Sequence, residues 1–240
     1  MDDEQVKKLL GEFSEAMQAL YGSDMVSLYR FGEGAAGNNH PGHHIKLLAV
    51  MREITRHQLS TYAGVHAKWL KKGIHAPLML TEKTLETSTD AFPMEFLEMK
   101  ESHVLLFGQD VLPSLRISLD NLKRQCEEQV KGKLIHLRQG YMETGGDKGA
   151  LERLIAASIE PFTEVMRNVL RMKGKDAPVK KDTIISEFCK ETGADDGPFM
   201  DALMLRRHAL KLDKTELDEL FERYLKELDS LAEKIDKIFA

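Results

Sequence analysis

Apolar positions along the chain repeat with two different periods, and the change falls near Pro113. In the first half, helical and extended periods alternate. Val6, Leu9, Leu10, Phe13, Met17 and Leu20 recur three and four apart, which predicts an amphipathic helix to about Tyr21. Gly22-Ser23 breaks it. Residues 25–31 predict a strand, with Met25, Ser27, Tyr29 and Phe31 on one face and Val26, Leu28 and Arg30 on the other. Residues 45–51 predict a second, short apolar strand interrupted by Lys46. Residues 58–72 predict a helix with Leu59, Tyr62, Val65, Trp69 and Leu70 inward. Residues 77–80 predict a short strand, and Thr81 is placed to cap a following helix. The run FPMEFLEM at 92–99 reads as another strand, and 103–107 as a further one.

From Pro113 onward only the helical period remains. Residues 115–139 and 151–173 predict two long helices, separated by Gly145-Gly146; Gly174 and Pro178 close the second. Residues 183–192 and 198–210 predict shorter helices. In the last helix Leu217, Leu220, Phe221, Tyr224, Leu225, Leu228, Leu231, Ile235 and Ile238 form a continuous stripe, with charges on the opposite face. Such helices bury their stripes against one another. The fold expected is therefore an α+β unit at 1–112, a mixed sheet flanked by helices, followed by an all-α helical bundle at 113–240.

Composition narrows the setting more than the function. The 240 residues are 42% hydrophobic and 30% charged, ordinary for a soluble globular protein. A net charge of -5 gives no overall attraction to nucleic acid or to an anionic membrane. No apolar run approaches the roughly 20 residues a membrane helix needs. The start, MDDEQVKKLL, is acidic and then amphipathic, unlike a secretory signal. Cys126 and Cys189 are too few for a disulfide framework, so a reduced, cytoplasmic setting is expected.

The candidate chemistry concentrates in residues 29–51, YRFGEGAAGNNHPGHHIKLLAVM. They read as strand, glycine-rich turn, polar loop and strand. Gly32, Gly34 and Gly37 mark a turn that needs unusual dihedrals or close backbone approach. This stretch resembles the active-site signature of the polymerase-beta-like nucleotidyltransferase superfamily. There a Gly-Ser turn approaches a triphosphate, and an Asp-x-Asp on the next strand holds divalent metals. An α/β half followed by a helical half also resembles the two-domain layout of kanamycin-nucleotidyltransferase-like members.

Under that resemblance, Glu33 stands in place of the serine, and His44 and Lys46 stand in place of the aspartates. The period-two facing survives, but the chemistry does not. A carboxylate at 33 repels phosphate. Lysine offers no lone pair to a hard cation, and histidine is a poor magnesium ligand. Glu95 aligns with the family's third carboxylate, on a strand beside the one carrying Lys46. The resemblance thus implies a degenerate site at Glu33, His44, Lys46 and Glu95, with Lys46 paired to Glu95 or Glu33.

No catalytic residue and no resident cofactor are therefore expected, and the chain reads as a binding or assembly module. Its candidate ligand-binding residues are Gly32, Glu33, Lys46, Glu95, Arg138 and Tyr141, with a nucleotide or small molecule as the ligand. The last two belong to KGKLIHLRQGY, near the junction of the halves. One alternative is an active transferase whose magnesium–nucleotide site is rebuilt from Glu33, Glu95 or Glu98. Another is a transition-metal site at His40, His43 and His44, since neutral imidazoles suit zinc, nickel or copper. The amphipathic last helix is a candidate homodimer surface, or else core within one chain.

Overall fold

The structure, a computed structural model, describes residues 3–32, 45–175, 178 and 180–238. The chain divides into two compact units, Met1–Ser118 and Leu119–Ala240. Glu33 and the histidines at 40, 43 and 44 lie outside the described residues.

The first unit is a four-stranded mixed sheet with helices on both faces. Its strands are β1 (Met25–Phe31), β2 (Lys46–Met51), β3 (Leu78–Thr81) and β4 (His103–Gly108), in the order β3-β2-β1-β4. β1 is antiparallel to both β2 and β4, and β3 runs parallel to β2. A parallel neighbour needs a crossover. Helix α2 (Arg56–Leu70) supplies it, opened by a capping box between Thr55 and Gln58.

One face of the sheet packs on α1 (Asp3–Tyr21) and α2. There Val6, Leu10, Phe13, Met17 and Trp69 meet Met25, Leu28, Leu47, Ala49 and Met51. The spacing read for α1 therefore describes its buried face. The other face packs on α3 (Glu82–Thr87), α4 (Pro93–Glu101) and the residues beyond β4. There Leu85, Phe96, Met99, Leu112 and Leu115 meet Tyr29, Leu48 and Val50. Thr81 caps α3 as expected, its hydroxyl accepting the Thr84 N–H at 3.1 Å.

The strict alternation expected of β1 fails at its start. The register with β2 slips between Met25 and Ser27, so one strand holds a residue more than its partner. Met25 consequently joins Leu28 on the α1 face, while Val26 packs with Tyr29 and Phe31 on the other. Gly108 fits against the bulge. A Cβ there would lie 2.0 Å from the Val26 carbonyl oxygen, and its φ of +86° suits glycine.

A second expectation fails at residues 92–99, which form helix α4 and not a strand. Pro93 occupies the first turn, where its missing N–H costs nothing, and Met, Glu, Leu and Lys favour helix. Pro93, Phe96 and Met99, three apart, are the buried positions. The long helix expected from residue 115 also starts later. Leu112–Ser114 make a single tight turn, and Leu115 is buried in the sheet unit's own core.

The second unit is all-helical, with α5 (Leu119–Glu143), α6 (Lys148–Met172), α7 (Lys181–Thr192), α8 (Gly197–Arg206) and α9 (Lys214–Ile238). Helix α6 contacts each of the others. Its run from Val165 to Leu170 is buried on every side, which is why its apolar pattern broadens beyond one stripe. The α9 stripe (Leu217, Leu220, Phe221, Tyr224, Leu228, Leu231 and Ile235) is buried inside the unit. No helix among the described residues is long and apolar enough to cross a membrane.

Candidate functional site

β1 delivers Gly32 and β2 opens on Lys46, so the two flank residues 33–44 from either side. Gly32 has φ +86° and is fixed from below by Ser102, which caps the end of α4. The Gly32 N–H donates to the Ser102 carbonyl at 2.9 Å, and the Ser102 hydroxyl donates to the Gly32 carbonyl at 3.1 Å. A Cβ on Gly32 would come within 3.3 Å of both Glu98 Oε1 and Lys46 Cδ. The positive φ favours glycine at this position, and a Cβ there would press on the Glu98 and Lys46 side chains.

Lys46 faces the side of the sheet that carries α4. Its ammonium lies 3.7 Å from Glu98 Oε2 and 5.9 Å from the centre of the Phe31 ring. Its side chain is 55% exposed and that of Glu98 19%, so the carboxylate is the inner partner. At 3.7 Å the two attract through space without a tight hydrogen bond.

Among the described residues, Lys46 therefore pairs with Glu98 and not with Glu95; Glu33, the other partner the resemblance implied, lies outside the described residues. The reason is the conversion of the expected strand into α4. On a helix, residues 95 and 98 lie three apart and share a side. The exposed Glu95 stands in the first turn, and Glu98 a turn later reaches the sheet. The strand beside β2 on the side away from β1 is β3, whose sequence LMLT carries no acid. Glu98 was legible as a candidate carboxylate; Ser102, which holds Gly32, was not, because its role is a backbone contact with no signature in sequence.

A magnesium–nucleotide group fits this donor set poorly. Magnesium asks for several oxygen ligands in a near-octahedral shell. The described residues supply one carboxylate there, and an ammonium already neutralises it. Among the described residues, no three His, Cys, Asp or Glu side chains converge to hold a metal ion.

Arg138 and Tyr141 belong to the helical unit and are engaged within it. Both project from α5 onto α9, where Arg138 pairs with Asp229 and Tyr141 stacks on Phe221 at 4.4 Å and 10°. Several other cations are likewise engaged. Lys72 pairs with Glu12 at 2.7 Å and sits over Trp69. Lys181 and Arg206 both reach Glu160, and Arg207 reaches Asp182 at 3.5 Å. Neither cysteine is in a disulfide. Burial pushes both thiols up to about 12, against the thiolate a nucleophile needs.

No protein-family model matches the chain, and no curated protein does so either. Among solved structures, it is similar to spectinomycin adenyltransferase AAD(9) from Enterococcus faecialis, solved with ATP and spectinomycin. The TM-score is 0.59 at 12% identity, over 95% of this chain and 100% of that one. At that identity the likeness establishes architecture: a small mixed sheet with flanking helices, then a helical region, which is a nucleotidyltransferase fold.

Proposed function

We propose that this chain is a catalytically degenerate nucleotidyltransferase-fold protein that acts as a binding or assembly module. The observation that carries the reading is the Lys46–Glu98 pair beside Gly32. Where an active member places a metal-binding carboxylate, this chain places a cation, and that cation engages the nearby acid. An ammonium supplies charge to an anionic ligand but cannot activate an attacking hydroxyl as a metal does. Glu33 and His44, read from sequence, alter the remaining signature positions in the same direction.

The deciding measurement is pyrophosphate release from ATP with magnesium and a panel of hydroxyl acceptors, spectinomycin among them. The expected result is no release above the protein-free background. Release that disappears in Glu98→Ala would replace this reading with an active transferase built on a rearranged acid. Calorimetry with ATP then separates the module's two forms: heat of binding marks a nucleotide-binding protein, and its absence marks an assembly role.

A further inference from the structure

The fold implies magnesium beside Gly32, and the described residues there do not fit it. The acid is Glu98, and the Lys46 ammonium stands 3.7 Å from its Oε2. A divalent cation at that acid would meet a fixed positive charge at close range. The same ammonium can act on the oxygens of an anionic ligand directly.

The pair is open to such a ligand. At 3.7 Å the contact is too long for a hydrogen bond, so Glu98 takes up none of the three ammonium donors. The lysine side chain is 55% exposed and that of Glu98 19%, so the cation is the outer member and meets a ligand first. A Cβ on Gly32 would lie 3.6 Å from Lys46 Nζ, so the ammonium rests against a residue with no side chain to shield it. Gly32 contributes shape and not donors. Its N–H is directed to the Ser102 carbonyl, and its carbonyl accepts the Ser102 hydroxyl. Among the described residues, the positive charge at this strand end comes from Lys46.

On the degenerate reading proposed above, we infer that this site takes a phosphate chain free of metal: the Lys46 ammonium supplies the positive charge that magnesium otherwise supplies, and Glu98 is the built-in charge that the phosphates must outweigh. Attraction grows with the charge on the ligand, so a polyphosphate gains more from one ammonium than a single carboxylate does. Lysine meets phosphate oxygens as a point charge with rotatable donors, so no fixed fork geometry is needed. Glu98 tempers the cation's field and holds affinity down, which makes it a specificity residue for strongly charged anions. Magnesium works against such a site, because on the phosphates it cancels the charge that the ammonium attracts.

The test is calorimetric titration of the full chain with ATP in EDTA, repeated with magnesium in excess of ATP. Binding is expected in EDTA, and magnesium should weaken it by about threefold to tenfold. Lys46→Met should weaken metal-free binding by at least about tenfold, because the single described cation is gone. Glu98→Gln should tighten it by about threefold to tenfold, the effect of one charge at a partly exposed site. A gain of affinity cannot come from a loss of fold, so this variant guards against misfolding in the other. Tripolyphosphate titrated in parallel tells a bare phosphate chain from a nucleotide, which alone would gain from its nucleoside. No binding in EDTA, tighter binding with magnesium, or unchanged affinity in either variant overturns the assignment. Magnesium-dependent pyrophosphate release would overturn the degenerate reading itself. Neither release nor metal-free binding would overturn this assignment and leave that reading standing.

Discussion

Lys46 and Arg138 carry the same kit of parts. Each is a cation on a regular element, each faces a carboxylate, and each has an aromatic ring nearby. In the helical unit the kit closes a helix–helix seam. Arg138 and Tyr141 leave α5 one turn apart and meet Asp229 and Phe221 on α9, beside the buried Leu134 and Leu137. Every partner is another part of the bundle. In the sheet unit the kit stands at a strand end, next to a glycine that a Cβ would crowd. The lysine side chain there is 55% exposed and only loosely paired. The difference teaches that residue type does not mark a site. Context does, and of these two cations it is Lys46 that stands beside a positive-φ glycine at a strand end.

The comparison breaks most sharply if the bundle's aromatic pair is not structural. Phe221 is 6% exposed and stacked on Tyr141. Phe221→Ala should lower stability by about 3 kcal/mol, combining lost burial with an unfilled cavity. Tyr141→Ala should cost about 1 kcal/mol, since the ring is half-exposed and loses chiefly the stack. Urea denaturation followed by far-UV circular dichroism reads both. Near-wild-type stability in Phe221→Ala would return Tyr141 to the list of residues available to a ligand.

How far the molecule could be read from sequence follows from which contacts are periodic. Helix α1 and the α9 stripe were legible because burial of a regular element leaves a repeat in the chain. β1 was legible as a strand, but its facing was not. The bulge near Val26 depends on Gly108, 82 positions later, and no local pattern announces that contact. Residues 92–99 misled because short apolar runs fit either state, and expecting a family carboxylate there tipped the reading toward strand. The pairing of Lys46 with Glu98 followed from that same element. Helix rotation selects residue 98 over 95, so an error in secondary structure became an error in the site.

A second test concerns charge. Glu160 on α6 is gripped by Lys181 and Arg206, from α7 and α8. Partial burial pushes its carboxyl up, but the hydrogen bonds and charges of Lys181 and Arg206 outweigh this and hold it below the usual range. A carboxyl lowered in the folded state stabilises fully above its unfolded value, about 4.3. That stabilisation fades as pH falls through the lower folded value. Wild type should therefore lose more stability on acidification from about pH 6 to about pH 3.5 than Glu160→Gln does. The gap should be about 0.5 kcal/mol, because the group is partly exposed and screened. Equal acid sensitivity would mean that the cluster contributes nothing to stability.

The smallest expected effects separate the two cations themselves. Arg138→Ala removes one member of a half-exposed pair, worth about 0.5 kcal/mol at low salt and less at high salt. Lys46→Met keeps the stem that lies against Gly32 and removes only the ammonium. The remaining Glu98 carboxylate is less exposed than the one left in Arg138→Ala. If the Lys46–Glu98 pair served stability as the Arg138–Asp229 pair does, Lys46→Met should therefore cost at least as much, and that cost too should shrink with salt. If Lys46 is kept for what approaches it, stability should stay within about 0.5 kcal/mol of wild type and show no salt dependence. Parallel melts of the two variants at low and high ionic strength decide the matter. A salt-sensitive loss in Lys46→Met larger than that in Arg138→Ala would make both cations struts, and would remove the distinction on which the proposed site rests.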